Sequence, residues 1–331
     1  MRLAHFVPMI AATVLWAWPM IAIHYIKDGT GGAFQPDALN VYRYAAGALF
    51  ALAVVGCSRP ADLLTVLRKP GVPLALAAIL AAFQAVWVRG VYMIGPAYGT
   101  LVNRTTVLFA LLLTYLVFAD ERRVIRSRRF LASAAAALAA VIGITVLDPG
   151  FSLAGLSSGS TLVVGTLVML GSSVIWAVYA VAVRKLGRHL PPMATFAVTA
   201  AFTTVLLVPL GFLWADMGVM WSGLCTWKVQ LAVIFSGAAC VGATQVLYYV
   251  SLKRIGVAYT SLVSLGSPFL TGVFSFLVLG EVLTFWQWLL GGVLAAALGF
   301  LIHSSLQPRA EPAAAAERAG QEPEDLELEG R

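Results

Sequence analysis

The chain has 331 residues, of which 60% are hydrophobic and only 11% are charged. Soluble domains average about 25% charged residues, and half that supply cannot coat a water-facing globule of this size. The composition excludes an ordinary soluble enzyme, a nucleic-acid-binding domain and a disordered protein, and leaves a protein whose main solvent is lipid.

The formal net charge is +7, from 22 Lys+Arg and 15 Asp+Glu. Seven of the acids lie after Gln307, so the rest of the chain is more basic than the total suggests. The cysteines are Cys57, Cys225 and Cys240, with no CxxC and no Cys/His cluster. An odd number of scattered thiols reads as inert apolar residues, with no disulfide framework and no metal site. No cofactor is expected.

The first apolar run, His5 to Ile26, exceeds the roughly 7–15 residues of a signal-peptide core. It reads as a retained membrane helix. Such a helix needs roughly 20 mainly apolar residues. Walking the chain gives ten spans: 5–26, 38–57, 72–92, 97–119, 130–147, 160–183, 193–214, 229–251, 257–279 and 286–304. The ninth holds Pro268 and several glycines, which membrane helices tolerate where neighbours satisfy the freed backbone groups. Residues 308–331 are rich in Ala, Pro and Glu and read as a disordered tail.

With a cytoplasmic N-terminus, 17 Lys and Arg fall in cytoplasmic segments and three (Lys27, Arg89 and Lys228) fall outside. Every cytoplasmic loop contributes to that excess, as the positive-inside rule requires. An even number of spans also places the C-terminus in the cytoplasm. Two further arginines, Arg43 and Arg104, lie within spans.

The two halves resemble each other. IGPAYGTLV at 94–102 matches IGVAYTSLV at 255–263 in six of nine positions, at an offset of 161. Gln84 and Gln245 share that offset. Trp16 and Trp176 are 160 apart, as are Glu121 and Glu281. An odd number of spans per copy forces the second copy into the membrane upside down, with the binding site near the midplane between the copies. The expected fold is an all-α polytopic membrane protein of ten transmembrane helices in two inverted five-helix repeats. The repeats are 1–148 and 156–305, and the acidic cytoplasmic tail is 306–331.

These residues resemble the EamA family of the drug/metabolite transporter superfamily. The second half carries LVLGEVLTFWQWLLGG, with Gly280-Glu281 and Gln287, and the first carries LVFADERRVIRSRRF, with Asp120-Glu121-Arg122. The first copy has Asp where the family has Gly, and the second lacks the Arg. The family's arginine in the second span fits Arg43. The resemblance covers roughly residues 5–304. It implies a carrier of small solutes, amino acids, other metabolites or drugs, built from two inverted five-helix repeats.

Arg104 is the deepest charge, about seven residues into the fourth span and roughly 10 Å from its end at ~1.5 Å per residue. An arginine at a helix centre costs about 2.5–3.5 kcal/mol on insertion scales. It should face a wet cavity beside Asn103, where its planar fork binds a carboxylate or phosphate; otherwise backbone carbonyls hold it. Arg43 sits shallower, where it snorkels to the interface or lines the site. Trp16, Trp176, Tyr98 and Tyr259 either line the cavity or pack, since each is echoed in the repeat or lies beside the shared signature. Gln84 and Gln245 either bind solute or tie helices together. Glu121 and Glu281 at helix ends serve as interfacial caps or gates, and Pro19 kinks the first span or is a tolerated break. No Asp or Glu lies mid-span, which weakens tight coupling to protons or sodium.

The expected protein is a multi-pass carrier of the inner (plasma) membrane, an exporter with a small-molecule solute and the bilayer as partners. No nucleic acid, no enzymatic activity and no particular oligomeric state are assigned. Two alternatives are a membrane scaffold or sensor working through the acidic tail, and a membrane enzyme using His24 with Asp28.

Overall fold

The computed structural model describes residues 3–93, 102–147, 160–279 and 284–306, and among them helix is the only regular secondary structure. Lipid supplies no hydrogen bonds, so a segment in it must satisfy its own backbone, and a helix does. Tyr98, Glu281 and the tail after Leu306 lie outside the described residues.

The chain enters through α1 (Val7–Leu15) and α2 (Trp18–Gly29). Pro19 breaks them apart, because it lacks the N–H that would reach the Leu15 carbonyl and its ring crowds that oxygen. Then come α3 (Pro36–Ser58), α4 (Pro60–Leu67) and α5 (Gly71–Met93). Pro36 and Pro60 each open a helix, where a missing N–H costs nothing. The short α6 (Thr105–Val117) leads to α7 (Ala119–Ile125) and α8 (Arg128–Val146). After α9 (Ser160–Leu186) and α10 (Pro192–Trp214), α11 (Trp227–Gly237) passes through a π-helical segment, Ala238–Ala243, into α12 (Thr244–Val263). A 3-10 turn, Ser264–Gly266, leads to α13 (Ser267–Leu279), and α14 (Phe285–Leu306) closes the described chain.

Among the described residues seven helices are long and apolar enough to cross a membrane, or eight when the pair from Ala119 to Ile144, bent by 70°, is taken as one span. That is fewer than the ten expected. Thr105–Val117 is 13 residues, short of a crossing by itself. The run Trp227–Phe274 counts once although it is 48 residues long. At ~1.5 Å per residue that is about 72 Å, more than twice a hydrocarbon core of about 30 Å. Gly256 interrupts this run with φ 83 and ψ 177.

Three packings organise the molecule. α3 lies against α10 and the π segment, α5 against α9, and α8 against α14. The first depends on small residues: a Cβ on Gly47 would sit 2.9 Å from the Gly237 carbonyl, and one on Gly242 would sit 2.9 Å from the Gly47 carbonyl. Backbones that close need glycine. α8 and α14 form a separate apolar cluster around Phe130, Val141, Leu294 and Leu301. There Gln287 accepts from the Thr284 N–H at 2.8 Å while its own N–H donates to Thr284 Oγ1, a reciprocal cap on the start of α14. Gln287 Nε2 also donates to the Ile144 carbonyl at 3.4 Å.

The outer surface is oily. Phe212, Leu213 and Trp221 are 71%, 74% and 77% exposed, far beyond what a water-soluble surface tolerates as a patch. Charges collect at two ends. At one, Arg89 pairs with Asp37 at 3.1 Å, and the Tyr92 and Tyr42 hydroxyls donate to the carbonyls of Phe34 and Met217. At the other, Arg184 pairs with Asp120 at 2.7 Å and with Glu121, and Lys253 donates to the Leu190 carbonyl. Among the described residues no ion pair joins the two groups.

Gly256 also faces Glu121, whose carboxylate accepts from the N–H groups of Val257 at 3.1 Å and Ala258 at 2.8 Å. A Cβ on Gly256 would sit 2.8 Å from Glu121 Oε1. Gly256→Ala is expected to destabilise the protein by about 1–3 kcal/mol, the cost of an L-residue in this backbone region. Thermal unfolding in detergent checks it: the midpoint falls by several degrees, whereas Gly71→Ala, with open space around its Cβ, leaves it in place.

Candidate functional site

A cavity of about 140 Å³ lies where the helix irregularities meet. Trp16 and Pro19 flank the α1–α2 break, Arg104 precedes α6, Cys240 and Val241 sit in the π segment, and Ser264 sits in the 3-10 turn. Irregular backbone at membrane depth is tolerated where it lines a cavity, and π segments recur at functional sites.

One wall is aromatic. The rings of Trp16 and Trp176 meet edge to face at 5.8 Å, Trp176 stacks on Tyr248 at 5.5 Å, and Phe83 lies 4.8 Å from Trp176. Two arginines supply the charge. Arg43 is 3% exposed, and its Nε donates to Ser236 Oγ at 2.8 Å. Arg104 Nη1 donates to Ser267 Oγ at 3.2 Å and to the Ser264 carbonyl at 3.4 Å. Gln245, Thr106 and Trp87 also face the space, and Gln245 Oε1, Thr106 Oγ1 and Trp87 Nε1 have no hydrogen-bond partner among the described residues. Nor do Arg43 Nη1 and Arg104 Nε. Buried polar atoms are rarely left so, and these five, with Tyr44 Oη, Gln84 Oε1 and Tyr248 Oη around the same cavity, form a ready set of ligand contacts.

Of the residues singled out from the sequence, Arg104, Asn103, Trp16, Trp176, Gln84, Gln245, Arg43 and Pro19 line this cavity. Arg43 does not snorkel. Counting from the helix end places it near an interface, but α11 closes over it: a Cβ on Gly237 would lie 2.5 Å from the Arg43 carbonyl. Tyr259 is elsewhere, with its ring between Phe6 at 5.7 Å and Phe130 at 5.8 Å. Glu121 is also outside the cavity, buried at the Arg184 end and capping the chain after Gly256. His24 Nδ1 lies 3.0 Å from the Met20 carbonyl of its own helix, and Asp28 is exposed.

Trp87 and Tyr248, which the sequence analysis does not single out, also line the cavity. The signal was present. Trp87 follows Gln84 by three residues and Tyr248 follows Gln245 by three, a spacing that puts each pair on one helix face.

A second hollow of about 660 Å³ opens at the Arg184 end, lined by Asp120, Arg184, Lys185, Arg188, Lys253 and Tyr249. Tyr248 borders the first space and Tyr249 the second. The Tyr249 hydroxyl lies 2.7 Å from that of the fully buried Tyr179, and the Tyr179 ring is 5.4 Å from Trp176.

At the same end Arg184 stacks over Phe118 at 4.4 Å while pairing with both acids. Glu121→Gln and Arg184→Gln are each expected to destabilise the fold by on the order of 2 kcal/mol, since the first removes one of the two acids that hold Arg184 and the second leaves the buried Glu121 carboxylate without its arginine. In the double variant the losses do not add, because one substitution already breaks the contact. Thermal unfolding of the three variants measures the coupling; fully additive losses would show that the pair does not interact.

Comparison with known proteins follows this geometry. No curated protein matches the chain. A solved structure described as "Crystal structure of protein" superposes with a TM-score of 0.76 at 21% sequence identity, covering 94% of this chain and 99% of that one. At that identity it establishes the shared fold. The model of the EamA-like transporter family matches residues 163–303. The second half of the chain, residues 163–303, is thus similar to the EamA-like transporter family.

Proposed function

We propose that the chain is an integral membrane transporter of small organic solutes, amino-acid-like or other metabolites or drugs. It works as an exporter by alternating access between two inverted five-helix repeats, residues 1–148 and 156–305. The observation that carries this reading is the cavity at the meeting point of the helix breaks.

The residues around it come in pairs related by the repeat. Trp16 meets Trp176, Arg104 Nη1 meets the carbonyl of Ser264, both 160 apart, and Gln84 and Gln245 border the same space. Two residues at the repeat offset touch each other only beside the axis that relates the copies, so these contacts support a pseudo-two-fold axis through the cavity. Inverted-repeat carriers keep their site at that place. The ten-span reading gains support from Gly256, which divides the 48-residue run in two.

The two charged ends fit the basic-residue bias. Asp120, Arg184 and Lys253 come from segments assigned to the cytoplasm, and they meet. In this reading the larger hollow is the cytoplasmic vestibule. The Tyr179–Tyr249 pair and the Glu121–Arg184 contact close it from the central cavity. Both termini are cytoplasmic, the membrane is the inner (plasma) membrane, and residues 306–331 are an appendage.

Purified protein in liposomes tests the function: it should move members of a broad metabolite panel down their gradients, and a chain ending at residue 306 should keep that flux. Movement of none of the panel would sink the carrier reading, and loss of flux with the tail would favour a tail-driven sensor. The topology has its own test. Exposed Cys57, just before the cytoplasmic Arg59, should react with a membrane-impermeant maleimide in inside-out vesicles and stay unreacted in intact cells.

A further inference from the structure

We propose that the central cavity takes organic anions of about the size of a substituted benzene ring and rejects organic cations, with Arg43 and Arg104 as its two hooks. The proposal deepens the carrier reading and rests on it only in treating this cavity as the transport site.

The charge is unbalanced. Arg43 and Arg104 line one space, and their hydrogen-bond partners there are neutral: Ser236 for the first, Ser264 and Ser267 for the second. No Asp or Glu lines the cavity among the described residues. The buried acids are engaged elsewhere, Asp37 with Arg89 and Glu121 with Arg184 and two backbone N–H groups. Like charges at short range in a dry site repel strongly, so an ammonium ligand meets two cations and no counter-charge. A carboxylate or phosphate meets the reverse.

The free donors fit this chemistry. Arg43 Nη1 and Arg104 Nε lack partners, as does Trp87 Nε1. These are N–H groups, which an anion accepts from and an ammonium cannot use. Neither positive charge is repeated in the second half: 160 residues on, Arg43 becomes Thr203 and Arg104 becomes Ser264. The anion field therefore comes from one half, while Trp176 and Tyr248 of the other half offer ring faces to the ligand's body. The volume, about 140 Å³, is close to that of a roughly 150 Å³ apolar cavity that holds benzene.

The test uses three probes sharing one ring: phenylacetate, phenylacetamide and phenethylamine, with charges −1, 0 and +1. Binding to the purified full chain in detergent is read by competition against labelled phenylacetate and by direct calorimetry of each probe. The expected order is acid over amide by at least tenfold, with no binding of the amine. Arg104→Gln and Arg43→Gln should each bring the acid down to the level of the amide while the unfolding midpoint shows a folded protein. Arg123→Gln, at an exposed position on α7, should keep the preference. If Arg43→Gln does not fold, Arg104→Gln alone decides. Binding of the amine on a par with the acid overturns the proposal. So does a preference that survives removal of the charge, or the absence of any preference, including binding of none of the three. Acid binding without flux in liposomes would leave the anion site standing and remove the carrier reading; flux of solutes with no preference for acids would do the opposite.

Discussion

Every backbone N–H and C=O inside a bilayer must find its partner within the protein. That constraint shapes the molecule more than any single contact. It makes the lipid-facing parts continuous helix and permits irregular backbone only where protein or a cavity replaces lipid. The α1–α2 break, the turn at Arg104, the π segment and the 3-10 turn at Ser264–Gly266 all border one space. Gathering these four defects in one region lets much of the bundle stay regular. It also supplies what a binding site needs: side chains aimed inward from several directions, and polar atoms released from helical duty.

The same logic explains Glu121. Gly256 adopts a conformation that ends the preceding helix and leaves the next N–H groups without helical acceptors. A carboxylate from a distant segment takes two of them, and it is itself held by Arg184. One acid thus satisfies a helix start and an arginine together, which is how a charge with 6% exposure is tolerated. Because its backbone partners lie more than a hundred residues away in the chain, the contact ties the two halves of the sequence at the end opposite the Arg89–Asp37 pair.

Much of this was legible because apolar length is a one-dimensional property. The expected spans 38–57, 72–92, 193–214 and 286–304 lie within Pro36–Ser58, Gly71–Met93, Pro192–Trp214 and Phe285–Leu306. The meeting of Trp16 with Trp176 was likewise readable, since an echo at fixed offset points to an axis. Other features depend on neighbours that no single segment reveals. Arg43 is buried because Gly237 and Gly242 let α11 and the π segment close against α3, and nothing in NVYRYAAGAL announces that. The π segment itself carries no composition that distinguishes it from ordinary helix. Tyr259 shares its signature with the first half, but the signature marks where a helix restarts after Gly256. Three residues after Gly256 the ring points at Phe6 and Phe130 instead of the cavity.

The two arginines show how such a site is held ready. Each would cost a few kcal/mol if left at the centre of a lone membrane helix. Here serine hydroxyls and one carbonyl offset part of that cost with neutral dipoles. A carboxylate partner would offset more, but it would also cancel the charge and occupy the guanidinium edges. Neutral partners fix each side chain in place while leaving its field and some of its N–H groups unspent. Glycine packing does the rest: close helix approach excludes lipid and restricts water around Arg43, so the charge acts across a low-dielectric space, where it is felt most strongly. The small residues that carry no chemistry, Gly47, Gly237 and Gly242, are therefore as much a part of the site as the residues that face it.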